Sequence, residues 1–169
     1  EIEGSRVHIA TFHSACARFL RRHAEHLGYP RNYTIFDTYD RDSCVKLVMQ
    51  ELGLGVEGVK PSHVGNRISH LKNHGVTPAE YREAHPCDVP LNLDELTALV
   101  YEPYQDRCRK LGAMDFDDLL LRFLDLMRTV PEVANGYRER FQWVLVDEFQ
   151  DTNHVQYQLT REIAGRHRN

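Results

Sequence analysis

The chain has 169 residues, 41% of them hydrophobic and 27% charged, with 21 Lys and Arg against 25 Asp and Glu for a formal net charge of −4. That length suits one compact domain, and the composition is ordinary for a globular protein. No apolar run reaches the roughly 18 residues of a membrane span, no signal peptide is visible, and Cys16, Cys44, Cys87 and Cys108 form no C-x-x-C pair, so the expectation is a cytoplasmic protein with reduced thiols and neither zinc site nor disulfide framework.

Val7 to Thr11 reads as a short strand. A helix is expected from about Ser14 to Leu27, with Cys16, Phe19, Leu20 and Leu27 on one stripe, stopped by Gly28 and Pro30. Tyr33 to Phe36 is a brief extended piece. A helix follows Asp40, with Cys44, Val45, Leu47, Val48 and Leu52 inward and Gly53 at its end. Gly53, Gly55 and Gly58 mark a loop. Pro61 suits the first turn of a helix carrying Val64, Ile68 and Leu71, which Gly75 ends.

Thr77-Pro78-Ala79-Glu80 combines an N-cap, a proline in the first turn and a glutamate three residues on. Asn92 and Glu95 open a longer helix to about Leu111, and Pro103 inside it predicts a kink or break. Asp115 caps a helix whose stripe is Leu119, Leu120, Phe123, Leu124 and Met127. Pro131 starts a short helix, Phe141 to Val146 reads as a strand, and a last helix follows Asn153.

The apolar run Trp143 to Val146 ends in Asp147 and Glu148. A buried parallel strand delivers carboxylates to a sheet edge in this way, and ligands of open α/β sheets bind at that edge. One carboxylate there suits hydrated Mg²⁺, and the other can orient or deprotonate a water. A strand leading into an acid-capped helix fits the same residues, since Asp147 and Gln150 have capping-box spacing.

The negative net charge speaks against a dedicated DNA-binding domain, but local clusters can still form a basic face. Arg18, Arg21, Arg22, His23 and His26 are one cluster; Arg67, His70, Lys72, Asn73 and His74 are another. His63, His70 and His74 share a helical face, but no nearby acid or cysteine completes a metal set, which makes them surface histidines. Asp115, Asp117 and Asp118 are explained by helix capping without a metal. No Gly-x-x-x-x-Gly-Lys-[Ser/Thr] phosphate loop occurs, and no lysine directly follows a glycine.

Three segments carry a family resemblance. Val146-Asp147-Glu148-Phe149-Gln150-Asp151-Thr152-Asn153 resembles the Walker B segment of UvrD/Rep/PcrA-like superfamily 1 DNA helicases. Thr11-Phe12-His13 resembles their Thr-Phe-His motif, and Met114-Asp115-Phe116-Asp117-Asp118-Leu119-Leu120 their "LDFDDLL" segment. The resemblance covers essentially the whole chain, which reads as an internal fragment of such an enzyme.

It implies a mainly α fold with two short core strands, a helical insertion on a remnant of an α/β RecA-like ATPase domain. Residues 1–13 and 141–169 would belong to the ATPase core, and residues 14–140 to a helical insertion resembling subdomain 1B. It implies ATP and Mg²⁺ in the intact parent, with Asp147 as the metal ligand, Glu148 as the catalytic base, and Gln150 and Asp151 coupling the nucleotide site to DNA. Single-stranded DNA and DNA junctions are the implied partners, with 3′→5′ movement and an inactive isolated fragment.

Thr11, Phe12 and His13 are the implied single-strand contacts. A plain strand-to-helix turn, with Thr11 as cap and Phe12 in the core, fits them too. Lys72 and Asn73 match the family's Ile-Ser-x-x-Lys-Asn segment, so Arg67, Lys72 and Asn73 are candidate DNA contacts; a solvated helix face is the alternative. A helicase–nuclease of the AddA/RecB kind, or a non-enzymatic helical interaction domain, remains open for the whole.

Overall fold

A computed structural model describes residues 7–167 and 169. The described residues form eight α-helices and two short strands. Thr11 caps α1 (Phe12–His23), which a 3-10 turn at Ala24–Leu27 extends to Gly28. Gly28 takes φ 76°, the left-handed conformation that glycine adopts without steric cost, and its N–H satisfies the Ala24 and Glu25 carbonyls. β1 (Thr34–Phe36) leads into α2 (Thr38–Glu51), where Asp37 and Asp40 form a reciprocal capping box.

α3 (Pro61–Asn73) and α4 (Pro78–Ala84) both open on the expected prolines, and Thr77 and Glu80 make the expected box. Gly65 is where α3 approaches α2: a Cβ there would lie 2.6 Å from Asp42 Oδ1 and 2.8 Å from Arg41 Nε. α5 (Leu93–Lys110) starts at the Asn92 cap and β2 (Ala113–Asp115) follows it. α6 (Phe116–Thr129), α7 (Pro131–Arg140), a 3-10 turn at Phe149–Asp151 and α8 (His154–Ala164) complete the order.

Two apolar cores result. One joins α1, α6, α7 and α8 around Phe19, Leu20, Phe123, Leu126, Val155 and Leu159. The other joins α2, α3, α4 and α5 around Val45, Val64, Ile68, Leu96, Val100 and Tyr104. In the first core α6 is the hub, with α1, α7 and α8 packed on it. Residues 1–6 of the first expected segment lie outside the described residues.

The strands are not where the apolar runs suggested. β1 and β2 pair in parallel with Ile35 opposite Met114, so the brief extended piece is a strand and Ala113–Asp115 is one that sequence periodicity missed. Val7–Thr11 and Phe141–Val146 are irregular. Strand geometry is stabilised by a neighbouring ladder and by burial of alternate side chains. Ile9 is 90% exposed and Leu145 96%. Among the described residues, Val144 N–H to Asn169 O, at 3.4 Å, is the long-range backbone bond of the second run.

Pro103 does not break α5. The lost hydrogen bond and ring clash cost about 3 kcal/mol, but Val100, Tyr101, Tyr104 and Cys108 are buried on both sides of it. Each large apolar side chain contributes about 1.5–3 kcal/mol on burial, so packing outweighs the proline. Leu47 and Leu52, expected inward, are exposed; Met49 is buried on α2 instead.

Candidate nucleotide and nucleic-acid site

Asp147 and Glu148 lie in an exposed turn between the irregular run and the 3-10 turn. Glu148 has φ 47°, and no other described non-glycine residue has positive φ. Such a conformation is uncommon for a residue with a side chain and is held by local bonds. Glu148 N–H donates to Asp147 Oδ1 at 3.0 Å, and Asp151 N–H donates to Glu148 O at 2.9 Å. The Gln150 amide donates to Glu148 Oε2. Asp147, Glu148, Gln150 and Asp151 therefore come together, with all four side chains reaching solvent.

The donor set suits Mg²⁺ in the manner of a phosphate-bridging ion. Such an ion takes one or two carboxylates and completes its shell with water and phosphate oxygens, rather than a closed protein cage. Asp147 offers an exposed carboxylate with one oxygen used by a backbone N–H, and Glu148 stands beside it.

The turn is tied to distant elements. Asn153 caps α8 reciprocally with Gln156. Its side-chain amide donates to Asn73 Oδ1 at 2.5 Å, and Asn73 Nδ2 donates to Asp117 Oδ1 at 2.7 Å and to Ser69 O at 2.8 Å. Beside Asp117, the Phe116 ring packs on His13 at a centroid distance of 4.5 Å. A chain of contacts thus runs from His13 through the start of α6 and the end of α3 to the segment after the acids. Capping made Asn153 legible as a helix start; its contact with Asn73 had no sequence signal.

Thr11 is the cap of α1: its Oγ1 accepts Ser14 N–H at 3.3 Å, and the side chain is exposed. Phe12 is half-buried against the first core. His13 is half-buried, and burial pushes its imidazole below its ordinary value while Asp117 pulls the other way. The capping and packing roles are met, while Thr11 keeps an exposed hydroxyl at the same spot.

Lys72 corrects the expectation of a phosphate contact. Its side chain is fully buried, 2.6 Å from Asp115 Oδ2 and 3.0 Å from Asp118 Oδ1, so no part of it reaches a ligand. Tyr104 O–H donates to Asp115 at 2.7 Å and Gln105 donates to Asp118 at 3.2 Å. Burial opposes the ammonium charge, but the two carboxylates hold Lys72 well above its ordinary value. Asp115 lies below its usual value: burial disfavours its charge, and Lys72 and Tyr104 overcome that. Burial and the adjacent Asp115 push Asp118 up.

Asn73 is half-buried and spends its amide on the contacts above. Arg67 is half-exposed, and its Nε donates to Asp94 Oδ1 at 2.7 Å. The basic face expected on α3 is therefore largely used inside the protein, because the residues opposite it on α5 and α6 are acids. His70 and His74 pack on each other at 4.2 Å. No helix among the described residues is long and apolar enough to cross a membrane.

The profile of the UvrD/REP helicase N-terminal domain matches residues 2–169. ATP-dependent DNA helicase UvrD1 of Mycobacterium leprae (strain TN) is 40% identical over 163 residues, 96% of this chain and 21% of the relative. UvrD1 of Mycobacterium tuberculosis (strain ATCC 25618 / H37Rv) is 40% identical over 162 residues, 95% of this chain and 21% of the relative. ATP-dependent DNA helicase PcrA of Staphylococcus aureus (strain Mu50 / ATCC 700699) is 38% identical over 162 residues, 95% of this chain and 22% of the relative. The chain spans about a fifth of the length of these curated relatives.

Proposed function

Because the chain belongs to the UvrD/REP helicase N-terminal domain family, we propose that it supplies the acidic hydrolysis motif and part of the DNA track of an ATP-dependent 3′→5′ DNA helicase. The observation that carries this reading is the exposed Asp147–Glu148 turn, with the Gln150 amide on the Glu148 carboxylate.

Asp147 would hold Mg²⁺ and Glu148 would orient the attacking water and take its proton. When bound, the ion neutralises charge on the transferring phosphates. Gln150 and Asp151 sit in the turn that joins the acids to Asn153, and through Asn153 to α3 and α6. Movement of the acids on hydrolysis would reach Asp117 and His13 by that route. Thr11, Phe12 and His13 would contact single-stranded DNA, at junctions as well as along the strand. Arg67 would reach phosphate only by leaving Asp94, and Asn73 acts from inside the chain of contacts.

The packing supports a helical insertion made of α2–α5 on a core of α1, α6, α7 and α8. In this reading the exposed runs Val7–Thr11 and Phe141–Val146 become strands of a RecA-like sheet whose other strands belong to a longer enzyme. The test is made in an enzyme that contains this chain together with a phosphate loop. Glu148→Gln should leave ATP binding intact while turnover falls about 10²-fold or more. Asp147→Ala should weaken Mg²⁺-dependent nucleotide binding. Wild-type turnover in Glu148→Gln would remove the catalytic assignment.

A further inference from the structure

Arg18 and Arg22 lie four residues apart on α1, and like charges at that spacing destabilise a helix slightly. Arg140, at the end of α7, joins them. All three guanidiniums bear on His8: burial pushes its imidazole below the ordinary value, and the fields of Arg18, Arg140 and Arg22 push it the same way. An open groove between the end of α1 and α7 is lined by Arg22, His23, His26, Tyr137 and Arg140, with Glu132 as the acid in its wall. Arg18, Arg22, His26 and Arg140 are exposed.

The neighbouring cations have other work. Arg21 points inward and donates to Arg31 O at 2.9 Å and to Tyr33 O at 2.6 Å. Arg31 pairs with Glu25, Arg138 with Glu162, and Arg166 with Glu139. Among the described residues, Arg18, Arg22 and Arg140 have no carboxylate within ion-pair distance. Folding brings three guanidiniums together with no carboxylate paired to them among the described residues, on a chain whose net charge is negative.

We propose that this groove binds the phosphate backbone of nucleic acid, as a contact surface separate from Thr11–His13. Exposed guanidiniums present planar forks that match phosphate oxygens, and His23 and His26 add ring N–H donors. Arg22 lies eleven residues along α1 from Thr11, roughly 16 Å at the helical rise. A single strand crosses that distance in on the order of three nucleotides when extended. One strand can therefore engage both ends of α1. Contacts of this kind position the backbone without reading sequence.

The inference rests on the proposed action on DNA, but its test is independent of ATP turnover. A labelled 20-nucleotide single strand is titrated with the wild-type chain, the Arg22→Ala/Arg140→Ala pair and the Arg22→Lys/Arg140→Lys pair at several salt concentrations. The alanine pair should weaken binding at least about fivefold at low salt and flatten the log–log salt slope by about 1.4, the value for two phosphate contacts on single strands. The lysine pair should keep the slope. An unchanged slope in the alanine pair, or no binding by wild type at low salt, overturns the proposal. So does poly-glutamate competing as well as an oligonucleotide of equal charge, which would assign the groove to an acidic protein segment. Each of these can occur while Glu148→Gln still lowers turnover in the longer enzyme, so failure of the groove and failure of the helicase reading are distinguishable.

Discussion

The Asn153 side-chain amide donates to Asn73 Oδ1 at 2.5 Å across 80 residues of chain. It fastens the end of α3 to the helix start that follows Asp147 and Glu148. Because the two side chains share one bond, their substitutions should not add. Asn153→Ala should cost about 1 kcal/mol for the lost cap alone. A double-mutant cycle with Asn73→Ala, read by urea denaturation, should give a coupling of about 0.5–1 kcal/mol. Additivity within about 0.3 kcal/mol would mean that the bond carries no energy.

Lys72 should behave as a core residue. Removing it strands the Asp115 and Asp118 carboxylates, both buried. Lys72→Ala should destabilise the chain by about 3–5 kcal/mol, whereas a surface lysine would cost about 0.5 kcal/mol or less. Denaturant midpoints decide between them. A small loss of stability with a large loss of DNA affinity would restore Lys72 as a phosphate contact.

Asp94 gives a pH signature. Burial disfavours its charge, but bonds from Arg67 and the Tyr81 hydroxyl prevail and hold the carboxyl below its ordinary value of 3.8. A depressed folded value means that the stabilisation is present above about pH 4 and is lost as pH falls through the folded value. Both side chains of the Arg67 pair are over a third exposed, so solvent screens it and its contribution is small. In Arg67→Ala the Asp94 carboxyl should titrate at higher pH by NMR. An unmoved midpoint would show that the ion pair does not form in solution.

The 169 residues alone should not hydrolyse ATP. They contain no phosphate loop, whose backbone N–H groups and lysine carry most triphosphate recognition. Purified chain assayed with and without single-stranded DNA should show no turnover in either case. DNA-stimulated hydrolysis by this chain would refute the division of labour proposed above.

Local chemistry made most of the helices legible. Thr77-Pro78, Asn92, Asp115 and Asn153 each announce a helix start through side-chain bonds made within three residues, and all four are caps in the structure. The α6 stripe is fully inward because a period of 3.6 already encodes one buried face. The family resemblance is equally local, resting on contiguous strings around Thr11, Asp115 and Asp147.

Pairing and neutralisation depend on what folding brings alongside, and a linear reading had no access to that. Val7–Thr11 and Phe141–Val146 have strand-like composition, yet a strand requires a partner ladder, and the ladder formed instead between Thr34–Phe36 and Ala113–Asp115. Lys72 and Arg22 are both cations in basic clusters. Lys72 is buried because α6 places Asp115 and Asp118 against it, while Arg22 stays exposed because α7 places Arg140 near it. Whether a charge becomes structure or surface is set by the charges packed opposite, since an unpaired buried ion costs several kcal/mol and only well-placed opposite charges and hydrogen bonds offset that cost. The sequence by itself determined the helix starts, the apolar stripes and the acid motif; tertiary structure decided which cations remain available to a ligand.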